Sequence, residues 1–96
     1  MTTSTTDRPE AGVSTDVGLA DPHQVILHND DYHSMEFVVW CLMKVFGHNE
    51  QLATKIMYEA HARGRAVAEV ESEPRARKHA EQLRSFGLIA TVEKVG

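Results

Sequence analysis

From His23 to the C-terminus, stretches with strand-like patterning alternate with stretches of three- and four-residue apolar spacing. This interleaving constrains the fold more than any other feature of the chain. Gln24 to His28 reads as a short buried strand: Val25, Ile26 and Leu27 form an apolar run that stops at His28-Asn29-Asp30-Asp31. Ser34 is placed to cap a helix carrying Met35, Val38, Val39, Leu42, Val45 and Phe46, and Gly47 ends it. Asn49 caps a second helix with Leu52, Ala53, Ile56, Met57 and Ala60 on one side, closed by Gly64. Residues 65–71, "RAVAEVE", suggest a strand that two alanines weaken. Ser72 or Glu73 with Pro74 opens a third helix, which runs through Ala76, Ala80 and Leu83 to near Gly87. In the closing "LIATVEK", Leu88, Ala90 and Val92 lie on one face of a half-exposed strand. The order β-α-α-β-α-β in so short a chain implies an α+β sandwich, a three-stranded sheet packed against three helices.

At 96 residues and 42% hydrophobic content, the chain supports one domain with a modest core. Residues 1–22 hold Asp7, Glu10, Asp16 and Asp21 against Arg8, a balance of -3; the ten acids and nine bases of residues 23–96 give -1. Neither part concentrates Lys and Arg on one face, so nucleic acid is not an expected partner. Residues 1–22 are rich in Thr, Ser, Gly, Pro and acid and read as a disordered N-terminal extension to a core domain of residues 23–96. The single cysteine, Cys41, excludes an intramolecular disulfide, fits a reducing compartment and reads as a buried thiol. No run reaches the ~18 apolar residues of a membrane span, and no secretory or transit signal is evident. A cytoplasmic monomer that does not engage membranes is the expectation.

The strand-to-helix junction admits three chemical readings. His23, His28 and His33 recur every five residues around Asp30 and Asp31, but that spacing matches neither a helix face nor a strand face for metal binding. Catalysis by Asp30, Asp31 and His61 lacks any nucleophile elbow, zinc-protease signature or phosphate loop in support. The third reading is recognition of a primary ammonium, whose three N–H donors need three acceptors when buried. Asn29, Asp31 and a neutral His61 would supply them, if the second helix packs beside the junction. The plain alternative is a turn closed by Asx hydrogen bonds, with His61 solvated at a helix end.

Residues 23–94 resemble the ClpS family, adaptors of bacterial N-degron degradation. The resemblance rests on Asn29-Asp30-Asp31-Tyr32, on Met35-Glu36-Phe37-Val38, on "ATKIM" with His61 and Gly64, and on the closing "TVEK". It implies a non-enzymatic protein without cofactor or metal. Such a protein binds N-terminal Leu, Phe, Tyr or Trp and delivers the substrate to a ClpA- or ClpC-type AAA+ unfoldase for degradation by ClpP. By the same resemblance, Asn29, Asp31 and His61 contact the substrate α-amino group. The hydrophobic pocket comprises Leu27, His33, Met35, Val38, Met57, Ala60 and Leu88, with Met35 as the gate against β-branched Ile and Val. Three features depart from the family pattern: Ala60, where Val is common; His33-Ser34 in place of Thr-Pro; and "EPRARKHAEQL" in the third helix, near the expected unfoldase-docking face. The alternative function is a non-catalytic docking module of the same fold without N-terminal residue recognition.

Overall fold

The computed structural model describes residues 21–96. Its elements follow the expected order: β1 (His23–His28), α1 (Met35–Phe46), α2 (Glu50–Arg63), β2 (Arg65–Glu71), α3 (Glu73–Ser85) and β3 (Ala90–Lys94). β1 is the central strand and pairs antiparallel with both neighbours, giving the sheet order β2-β1-β3. The register against β2 shifts between Val25 and Ile26, a bulge that leaves Ala68 without a direct partner.

Local chemistry sets the helix limits. The Ser34 hydroxyl accepts from Phe37 N at 3.1 Å, and the Asn49 side-chain Oδ1 accepts from Leu52 N at 2.8 Å. Each satisfies one of the donors that a helix start leaves open. Gly47 and Gly64 end α1 and α2 in the left-handed conformation that a glycine adopts without strain. Ser72 precedes α3 but makes no side-chain cap bond; Pro74 in the first turn is consistent with a helix start.

α2 packs across β2, α3 lies over β1 and β3, and α1 packs against α2 and α3. Val25, Leu27, Leu42, Ile56, Leu83 and Leu88 belong to the buried core, with Ala66 and Ala68 of β2 beneath the helices. The alanines that weaken the strand signal let a helix approach the sheet closely. On the opposite sheet face, His28 Nε2 lies 2.7 Å from Thr91 Oγ1 and Arg65 pairs with Glu93 at 2.7 Å. Cys41 is fully buried, and burial pushes its thiol up to about 11.

Of the expected extension over residues 1–22, residues 1–20 lie outside the described residues. Asp21 and Pro22 are tied to the body: the Pro22 carbonyl accepts from Val95 N at 2.9 Å, and Asp21 pairs with Lys94 at 3.2 Å. Among the described residues, no helix is long and apolar enough to cross a membrane.

Candidate functional site: an acceptor-rimmed apolar pocket

At the C-terminal end of β1 the chain leaves the sheet through residues 29–34, and two backbone bonds fix its course. His28 N donates to Ile89 O and Asn29 N donates to Gly64 O, both at 2.9 Å. The second bond ties the junction to the end of α2 and sets the last turn of that helix beside it.

The result is a pocket of about 30 Å³ of space for a water-sized sphere, lined by Leu27, His28, Asn29, Asp30, His33, Met35, Val38, Met57, Ala60 and His61. Leu27, Val38, Met57 and Ala60 are buried and supply apolar walls, while Met35 is 42% exposed at the first position of α1. Asn29 and His61 lie on the same pocket, as the ammonium reading requires. Asp31 is exposed and outside the lining, but the Asn29 amide donates to its Oδ1 at 3.3 Å. That bond uses the Asn29 N–H and leaves the Asn29 oxygen as an acceptor. Leu88 is buried with the core and does not line the pocket. Its N–H bonds to Leu83 O at 3.1 Å, which seats it against the end of α3.

The adjacent carboxylates have different environments. Asp30 Oδ1 accepts from Tyr32 N at 2.6 Å and His33 N at 3.2 Å, and its Oδ2 accepts from His33 Nδ1 at 2.6 Å. Burial acts to raise the Asp30 pKa, yet the bonds from the His33 ring and the two backbone amides outweigh it and hold the carboxyl below its ordinary value. Asp30 is therefore consumed in folding the loop, and this Asx turn leaves Asp31 facing outward. Asp30 and His28 are the lining residues that the sequence reading did not place in the pocket. The pattern Asp-x-x-His carried the signal for the first.

His33 is a wall of the site. Its ring stacks on Phe37 at 5.1 Å between centroids and meets Tyr32 edge-on at 5.6 Å. Gly87 approaches it so closely that a Cβ there would lie 3.0 Å from His33 Nε2. His23, His28 and His33 do not converge. They bond respectively to Asp21 O, Thr91 and Asp30, so the five-residue recurrence makes no common metal site.

The pocket is thus a small cleft with apolar walls, whose lining also carries the Asn29 amide, the Asp30 carboxyl and the His61 imidazole. Residues 19–91 match the family described as the ATP-dependent Clp protease adaptor protein ClpS. The chain is 46% identical over 79 residues to the chloroplastic Clp protease adapter CLPS1 of Arabidopsis thaliana, covering 81% of this chain and 50% of that protein. It is 39% identical over 95 residues to ClpS of Synechococcus elongatus, covering 97% of each. It is also 36% identical over 97 residues to CLPS1 of Chlamydomonas reinhardtii, covering 97% of this chain and 58% of that protein. The chain thus spans about half of the plastid relatives, 50% and 58%, and nearly all of the cyanobacterial one. A solved structure of Agrobacterium tumefaciens ClpS2 bound to L-phenylalaninamide superposes with a TM-score of 0.76 at 32% identity, covering 78% of this chain and 98% of that one. The chain belongs to the ClpS family of Clp protease adaptors.

Proposed function

We propose that this chain binds proteins whose N-terminal residue is Leu, Phe, Tyr or Trp and delivers them to a Clp AAA+ unfoldase. It does so as a monomeric, non-catalytic adaptor in the cytoplasm. The observation that carries this reading is that Asn29 and His61 line one pocket, while the Asn29 amide also bonds to the exposed Asp31. The ammonium donates to the three acceptors, and Asp31 supplies the compensating charge. The side chain enters between Leu27, Val38, Met57 and Ala60, with His33 and Met35 at the lip. The relative's ligand, L-phenylalaninamide, supports this, because it joins a free α-amino group to an aromatic side chain.

Two terms of similar size make recognition depend on both groups. Burying a Leu or Phe side chain contributes ~1.5–3 kcal/mol, and each hydrogen bond to the charged amine contributes ~1.5–3 kcal/mol. An acetylated N-terminus forfeits the second term and an N-terminal Gly the first.

Fluorescence anisotropy with four peptides that differ only at the first residue tests the reading: Leu, Phe, Ile and N-acetyl-Leu. Binding of Leu and Phe with rejection of the other two is expected. Equal binding of all four, or of none, would return the chain to a docking module of the same fold. Delivery is a separate property: deleting residues 1–20 is expected to leave peptide affinity intact and to abolish unfoldase-dependent degradation.

A further inference from the structure

A second cluster lies at the opposite end of β1, roughly 17 Å from the pocket by strand rise. His23 opens β1, Glu73 opens α3, and Asp21 precedes the strand; one donor atom from each lies within 4.8 Å of the others. The His23 side chain is only 9% exposed. Its Nδ1 lies 2.9 Å from the Asp21 carbonyl oxygen, which can only accept, so Nδ1 carries the hydrogen. In the neutral ring this leaves a lone pair on Nε2, which lies 4.0 Å from Glu73 Oε1, beyond hydrogen-bond reach. A buried imidazole nitrogen therefore faces a carboxylate with no hydrogen bond between them.

The surrounding contacts keep that gap open. Arg77 binds Glu73 Oε2 through Nε at 2.9 Å and Nη2 at 2.8 Å, which leaves Oε1 turned toward His23. Lys94 holds Asp21 Oδ1 at 3.2 Å from the outside. An imidazole whose Nδ1–H is anchored on a carbonyl, with no hydrogen bond to Nε2 among the described residues, is the arrangement that orients a metal-bound histidine.

We propose that Asp21, His23 and Glu73 form a site for one divalent transition-metal ion, of the zinc class by its one-nitrogen, two-carboxylate donor set. Metal–ligand bonds of ~2.0–2.1 Å in a tetrahedral site place ligand atoms ~3.4 Å apart. The His23–Glu73 gap must therefore close by several tenths of an ångström, which the part-exposed Glu73 side chain can do. Protein donors fill three positions and water the fourth. The ion staples Asp21, two residues before β1, and His23, the first residue of β1, to the first turn of α3. The proposal does not rest on the N-terminal recognition reading.

The test is titration of the full chain with Co²⁺, read by visible d–d absorption and by displacement with Zn²⁺. Thermal melts with and without chelator accompany it. One saturable equivalent is expected, with a rise in Tm of ~5–10 °C at metal about tenfold above Kd. Glu73→Gln, a change at a part-exposed carboxylate, is expected to weaken binding at least ~10-fold while leaving the metal-free Tm near that of the parent. Asp21→Asn is expected to do the same. No saturable binding below millimolar metal would overturn the proposal, as would full affinity in both variants.

Discussion

Asn29 and Gly64 are joined by a 2.9 Å backbone hydrogen bond, and through it the end of α2 becomes part of the pocket. His61 is exposed near the end of α2 and lines the same cavity as Asn29. The position also depends on φ of +91° at Gly64, where no atom lies within 4 Å of the site a Cβ would occupy.

Gly64→Ala therefore meets no clash, and its cost is purely conformational, ~1–2 kcal/mol. The expected outcome is a Tm about 5–15 °C lower, with weaker peptide binding because Asn29 and His61 separate. Gly64→Asn should recover most of the loss, since Asn tolerates the left-handed region. Thermal melts and anisotropy on the two variants check this; an unperturbed Gly64→Ala would show that the cap does not set the site.

The two adjacent carboxylates should separate cleanly in mutagenesis. Asp31 makes one 3.3 Å bond and is exposed, so Asp31→Ala is expected to leave Tm nearly unchanged. Peptide affinity should fall by ~2 kcal/mol or more, about thirtyfold, as the ammonium loses its anionic partner. Asp30 accepts three bonds within the loop, so Asp30→Ala should lower Tm and weaken binding together. Loss of stability with Asp31→Ala and not with Asp30→Ala would reverse the assignment.

Asp30 also gives a signature in acid. Its pKa lies below the ordinary 3.8 in the folded chain, so the unfolded chain takes up the proton first. The contribution is fully present above pH 3.8 and is lost as pH falls through the lower folded value. A plot of Tm against pH should fall less steeply in that range for Asp30→Asn than for the parent. Glu93 is lowered too, first by its bond from Arg65, but it is too exposed to matter much, so Glu93→Gln serves as the control.

Such splits show which parts of this molecule could be read in one dimension. Ser34, Gly47, Asn49 and Gly64 act within a turn of their own helices, so sequence spacing was enough to place the helix ends. The β2 signal was weak because Ala66 and Ala68 have low strand propensity. Their role is to leave room for a helix, which only tertiary packing reveals. The residue types of the pocket were legible, but their assembly was not: Asn29 meets His61 through a bond spanning 35 positions, from 29 to 64. Leu88 has the right chemistry for a pocket wall, yet its backbone bond to Leu83 seats it in the core. The roles of Asp30 and Asp31 depended on which way a turn folds.

Gly87 and His33 provide the last test, because their coupling is steric. A Cβ at Gly87 would lie 3.0 Å from His33 Nε2 and 3.1 Å from Cε1, tighter than ordinary van der Waals contact. With φ of +91° at Gly87, an alanine also carries conformational strain. The His33 ring cannot yield freely, since Asp30 holds Nδ1 at 2.6 Å and Phe37 stacks on its face. Gly87→Ala should therefore destabilise the fold and shift the pocket wall, weakening peptide binding. His33→Ser in the same chain removes the clash but not the backbone strain. The double variant should consequently lose less than the sum of the two single losses, with a coupling of ~0.5–3 kcal/mol measured by chemical denaturation. Strict additivity would mean that the glycine is needed only for its backbone conformation and that His33 is free to move.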